Sequence, residues 1–246
     1  MMQNIKNQNR VSESGNVLFL ILIAVALFAA LSYAVTQSTR TGGGSGDNET
    51  ALISSAQLTQ YPATVRTSVV RMIIGGTDIG NLEFNDPSEF SNLGSNPVGV
   101  FHPSGGGATY SSAPGEMMDD GNPGTWVFNA ENEIYYLGTT NEAAPGTPLS
   151  TTADVIAFLP GITETLCSRI NTELGISGIP VETGIDVVTN LVNTDGTDSG
   201  HTDFCDGGCG ATIGQDVATL DAQPFGCFEL VASSGNYVYF HVLVER

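Results

Sequence analysis

The chain has 246 residues, only 13% of them charged, and the charges are one-sided: 26 Asp and Glu against seven Lys and Arg, a formal net of −19. That excludes a nucleic-acid binder, because nothing here could neutralise a row of phosphates, and it argues against electrostatic attachment to an anionic membrane surface. With 41% hydrophobic residues the chain as a whole is not disordered, and its length allows one sizeable domain with an accessory segment.

The charges are also unevenly placed. Lys6, Arg10 and Arg40 lie near the start, and Glu13 alone among the acids precedes residue 41. From Thr41 onward four basic residues (Arg66, Arg71, Arg169 and Arg246) face 25 acidic ones, a net of −21. Such a body repels itself and stays soluble. The pattern fits an extracytoplasmic, surface-exposed protein, although a proteome-wide acidic bias would give the same count.

Residues 1–15 are polar and slightly basic. Val17 to Val35 then reads VLFLILIAVALFAALSYAV, with no charge, Pro or Gly. As a helix this run is about 28 Å long, close to the ~30 Å hydrocarbon core of a bilayer. A soluble helix has no need to be apolar all round over that length. Lys6 and Arg10 favour a cytoplasmic N-terminus, so the body after residue 40 is expected to be exported. A permanent anchor, a signal peptide cut at Ser32-Tyr33-Ala34 and a pilin-type N-terminus all satisfy this pattern.

The segment Ser12-Glu13-Ser14-Gly15-Asn16-Val17-Leu18-Phe19-Leu20-Ile21 resembles the start of the type IV pilin and pseudopilin superfamily. There a short basic leader ends in Gly, an apolar helix follows at once, and a globular head comes after it. The Gly-Asn-Val variant also resembles the TadE/TadG-like pseudopilins. The resemblance covers residues 6–40. Asn16 stands where the family usually has an apolar residue, and Leu20 where most members have Glu. The resemblance implies leader cleavage between Gly15 and Asn16. It implies an assembly helix whose Val17, Phe19, Leu20, Leu22, Val25, Leu27, Phe28 and Leu31 exchange lipid for packing against identical or related subunits. It further implies a structural, non-enzymatic subunit. Such a subunit is anchored in the inner membrane with its head in the periplasm, or assembled in an extracellular filament. The alternative is a single-pass envelope protein whose ectodomain binds a ligand or partner without polymerising.

The expected organisation is therefore a cytoplasmic leader (1–15), a transmembrane or assembly helix (16–40), a Gly-rich linker (41–46) and an extracytoplasmic head (47–246). After the glycines, Asp47 or Asn48 can cap a second helix running to about Ile74, stopped by Gly75-Gly76. Leu52, Ala56, Val65, Val69 and Met72 or Ile73 form a stripe at helical spacing, and Pro62 is expected to kink or divide the helix. Thr77 to Pro123 is rich in Gly, Pro, Ser and Asn and reads as irregular loops. Trp126-Val127-Phe128 and Ile134-Tyr135-Tyr136-Leu137 flank a polar turn and read as a hairpin. Ala153 to Leu159 reads as helical, with Pro160 restarting a second helix on which Ile162, Leu166, Ile170 and Leu174 recur every four residues before Gly175. Cys227 to Val231 and Tyr237 to Val244 read as a closing hairpin. Its last strand is apolar on both faces and so is expected to be central or well covered. The sum is an α+β fold: a long apolar N-terminal helix, then a disulfide-stabilised head with a helix packed on an antiparallel sheet.

All four cysteines, Cys167, Cys205, Cys209 and Cys227, lie in the last third. In an oxidising compartment an even number predicts two disulfides. The favoured pairing is Cys205–Cys209 as a local clip and Cys167–Cys227 tying helix to hairpin. The rival is a zinc site made of the four cysteines, with His201 as a further candidate ligand. Between these cysteines, Asn193, Asp195, Asp198 and Asp203 crowd oxygen ligands with glycines, the chemistry calcium requires; a solvated acidic turn has the same composition. No nucleophile elbow, phosphate loop or metalloprotease motif occurs. His102, His201 and His241 are far apart, and His241 reads as a hydrogen-bonded structural residue in the last strand.

Overall fold

The computed structural model describes residues 14–41, 43–138, 153–185, 187, 212–215, 217–231 and 235–246. The chain divides into two compact units, Met1–Thr50 and Ala51–Arg246. The first contains α1 (Ser14–Thr41) and the beginning of α2 (Gly43–Ile74). The glycines at 43, 44 and 46 thus open α2 instead of forming a separate linker. They fall in its first turn, where backbone N–H groups have no intrahelical partner in any case. The division between the two units falls within α2, after Thr50.

In the second unit α2 runs unbroken through Pro62. Its buried stripe is Leu58, Pro62, Val65, Val69 and Met72, alternating in steps of four and three. Leu52 and Ala56, expected on that stripe, are exposed. The helix stops as predicted: Gly76 adopts φ +99°, its N–H bonds Ile73 O at 3.0 Å, and Thr77 N–H bonds Met72 O at 3.0 Å. This pairing closes a helix through a residue in left-handed geometry.

The sheet has the order β1-β3-β7-β6-β4, built from β1 (Val127–Asn129), β3 (Val155–Ile162), β4 (Val181–Glu182), β6 (Phe225–Leu230) and β7 (Tyr237–Val244). A separate pair joins β2 (Glu133–Ile134) to β5 (Thr212–Ile213) in parallel. The β6–β7 hairpin is antiparallel as expected, and β7 is central, between β3 and β6. The sheet as a whole is mixed, because β4 joins β6 in parallel. The predicted hairpin at 126–137 does not form. β1 pairs with β3 instead, Phe128 opposite Ala157.

The segment expected to be helical from Ala153 is strand β3. A short apolar run cannot be told from a buried helix by periodicity alone, and this one is buried on both faces between β1 and β7. Pro160 lies at a register shift against β7, where a missing ladder donor is tolerated. The helix after it is α4 (Glu164–Glu173), capped by the Thr163 hydroxyl accepting from Leu166 N–H at 3.3 Å. Gly175 closes it at φ +78°. Leu166 and Ile170 are buried as predicted, whereas Ile162 belongs to β3.

Two cores lie on the two faces of the sheet. Val155, Ala157, Leu159, Cys227, Tyr239 and Leu243 face the first, covered by α2 and α4. Ile156, Phe158, Phe228, Val238, Phe240 and Val242 face the second, with Ile134 and Ile213 of the small pair. The segment read as loops has little regular structure beyond short turns and the four-residue α3 (Phe90–Leu93). It nevertheless delivers Leu82, Phe84, Val100 and Phe101 to the first core. Phe84 stacks on Phe128 at 4.7 Å between ring centroids.

Candidate functional site

Val17–Ala34 is an 18-residue stretch of mean hydropathy 2.7 with no residue buried. Val17, Phe19, Leu20, Leu22, Val25, Leu27, Phe28 and Leu31 are each 59–71% exposed. By length and composition this helix is able to cross a membrane: at ~1.5 Å per residue the stretch is about 27 Å long. Gly15 and Asn16 lie in the first turn of α1.

In the head, Cys167 of α4 and Cys227 of β6 form a disulfide with Cα atoms 5.4 Å apart. Both residues are fully buried. Beside it Asn171 makes a second clamp that the sequence reading missed. Its Nδ2 donates to Cys227 O at 2.9 Å, and its Oδ1 accepts from Cys227 N–H at 3.1 Å. One side-chain amide thus supplies both halves of a backbone ladder partner to β6. The bridge removes the four-cysteine zinc site, since two of its thiolates are consumed. Cys205 and Cys209, His201, and the calcium candidates Asn193, Asp195, Asp198 and Asp203 lie outside the described residues. Among the described residues no group of three or more His, Cys, Asp or Glu is arranged to hold a metal.

The two described histidines are held by local bonds. His102 Nδ1 lies 2.7 Å from Ser104 Oγ, which also accepts from Asn96 N–H at 3.0 Å. That hydroxyl is thereby committed to the loop's own geometry. His241 is buried on β7, its Nδ1 lies 2.9 Å from the Tyr239 hydroxyl, and its ring stacks on Phe225. Burial first, and then the Arg66 charge, push it down to about 4. It is therefore neutral near pH 7, consistent with the structural role read for it.

Two further features were not foreseen. A cleft of about 580 Å³ opens beside β1 and β3, lined by Asp119, Asp120, Asn122, Thr125, Pro160 and Asn236 among others. Among the described residues no basic side chain lines it. Hydrogen bonds from Asn122 hold the Asp120 carboxyl below the usual carboxylate range, so it stays ionised at neutral pH. Three carboxylic residues, Glu133, Asp154 and Glu182, are also buried where β2, β3, β4 and β5 meet the second core. Glu182 Oε1 accepts from Gly214 N–H at 3.1 Å, and Glu133 Oε1 from the Thr212 hydroxyl at 3.0 Å. Lone acids in a polar stretch carry no sequence signal of burial; only the positions of their partners produce it.

No family model, curated protein or solved structure matches the chain.

Proposed function

We propose that this protein is a pilin-like or pseudopilin-like structural subunit, held by α1 in the inner membrane and carrying an acidic, disulfide-tied head outside the cytoplasm. The observation that carries the reading is the uniform exposure of α1 between Val17 and Ala34. A lipid bilayer covers such a helix before assembly, and identical or related helices cover it in a filament. The leader residues up to Gly15 supply the second support, through the resemblance they carry. The buried disulfide supplies a third, since such bonds persist in oxidising compartments.

A non-polymerising ectodomain is the second reading, and the acidic cleft beside β1 favours it. A head whose work is only to be displayed needs no such recess. The two readings separate in cells. Under the first, electron microscopy of sheared surface material shows filaments that an antibody to the head decorates. Leu22→Arg with Val25→Arg abolishes them. Each arginine near the centre of a span costs about 2.5–3.5 kcal/mol on the insertion scale, so the double variant leaves the membrane fraction. Membrane-bound wild-type protein with no decorated filaments selects the second reading.

A further inference from the structure

Of the basic residues beyond residue 15, only Arg40 lies outside the compact unit Ala51–Arg246. Arg66 and Arg71 are inside α2, Arg169 is inside α4, and Arg246 follows β7. Between Met72 and Ser168, and again between Ile170 and Glu245, the chain has no Lys or Arg. The irregular stretch from Thr77 to Pro123, and every other connection after α2, thus lacks the residue type after which an arginine- or lysine-specific endoprotease cuts. Such an enzyme takes its substrate as an extended strand, so it acts where the backbone can leave its fold.

The bonds after the three helical arginines are guarded by their neighbours. Val65, just before Arg66, is fully buried, and Met72 and Ile170, which follow Arg71 and Arg169, are 7% and 1% exposed. Arg66 is paired with Glu245 at 3.1 Å, Arg169 with Glu173 at 2.8 Å, and Arg71 donates to the Gly106 carbonyl. The Cys167 bridge also ties α4 to β6. Extending any of these segments draws core side chains into water. Arg40 differs. It is the next-to-last residue of α1 and belongs to the first unit. Carbonyl groups in the last turn of a helix have no intrahelical partner. Gly42, Gly43, Gly44 and Gly46 follow within six residues, and glycine is the poorest helix former after proline. Among these basic positions, the backbone around Arg40–Thr41 therefore costs least to draw into an extended strand.

We propose that the Arg40–Thr41 bond is a release site for an arginine-specific endoprotease, which frees the head from α1 in one piece. Water adds across the amide, leaving a carboxylate on Arg40 with α1 and an amine on Thr41 with the head. The freed chain keeps the whole second unit and its disulfide. Its four basic and 25 acidic residues, a net of −21, keep it soluble. The release, though not the cut itself, rests on the reading that α1 anchors an exported head.

Trypsin at low ratio on the full chain in detergent micelles, followed by intact mass without reductant, tests the site. Beyond trimming of the leader, one early product is expected, running from Thr41 to Arg246. The bonds after Arg66, Arg71 and Arg169 should break at least about a hundredfold more slowly, since their exposure requires opening of the core. Arg40→Gln should remove the product and leave the head joined to α1. Cutting after any of the three helical arginines as fast as after Arg40 would overturn the proposal. So would a wild-type chain left joined at Arg40–Thr41, or a head-sized product that persists in Arg40→Gln. On membrane vesicles the same cut should move the head to the supernatant, and a cut head that stays with the vesicles would overturn release. Sedimentation of the uncut chain with the vesicles reads anchoring separately, so a failed anchor and a failed site give different results.

Discussion

Removing the Cys167–Cys227 bridge is expected to destabilise the head by about 4 kcal/mol, from loop-closure entropy over a sequence separation of 60 residues. Its position makes the loss structural as well as entropic. The bridge joins α4, which covers one face of the sheet, to β6, which lies next to the central strand. The Asn171 amide clamps the same residue of β6, but a pair of hydrogen bonds closes no loop in the unfolded chain and cannot replace the bridge. Both sulfurs are buried, so the reductant reaches them only when α4 opens from β6. The expected behaviour is therefore slow reduction in native buffer and rapid reduction in mild denaturant. Denaturant unfolding of the Cys167→Ala, Cys227→Ala double variant measures the effect. A midpoint equal to that of the oxidised protein would show that the bridge contributes nothing to the fold.

Phe158→Ala is expected to cost about 3–5 kcal/mol, the range for deleting a fully buried aromatic ring from a well-packed core. Phe158 lies on β3, opposite Phe240 of β7 on one side and Val127 of β1 on the other. It is entirely buried in the second core. The void would open between the sheet and the elements that cover that face, where Ile134, Ile213 and Leu220 also pack. The matched control is Phe19→Ala. The same atoms are removed from a ring 63% exposed on α1, and the denaturant midpoint of the head should not move. A small loss for Phe158→Ala would contradict the burial of β3 between β1 and β7.

That strand also shows where sequence reading stops. α1, α4 and the β6–β7 hairpin were legible because each carries a local signature: an uninterrupted apolar run, a four-residue stripe ending at Gly175, and two strands around a Ser-Gly-Asn turn. The Cys167–Cys227 pairing was legible because the same pattern put one cysteine on a helix and the other on a hairpin. β3 was not. Its residues are apolar on both faces, so neither the period of a helix nor that of a strand shows in them, and Pro160 followed by Gly161 imitates a helix boundary. The pairing of β1 with β3 and of β2 with β5 joins residues far apart in sequence, which no local turn announces. Between Thr77 and Pro123 the backbone is irregular, so Phe84 and Phe101 enter the core without any period at all. Nothing in the sequence marks Glu133 or Asp154 as buried. Their burial follows from a backbone N–H contributed by Arg246 and a hydroxyl by Thr212, contacts visible only once the chain is folded.

The central claim is that residues up to Gly15 are a leader and that the apolar helix beyond them stays with the head. Intact-mass measurement of the chain extracted from membranes tests both parts at once. The expected mass is that of a chain beginning at Asn16, with the whole apolar stretch retained and the Cys167–Cys227 bridge oxidised. A chain beginning after Ala34 would contradict the account, because the helix on which anchoring and assembly rest would then be a discarded signal peptide. An intact Met1 would contradict the leader and the pilin-like processing it implies.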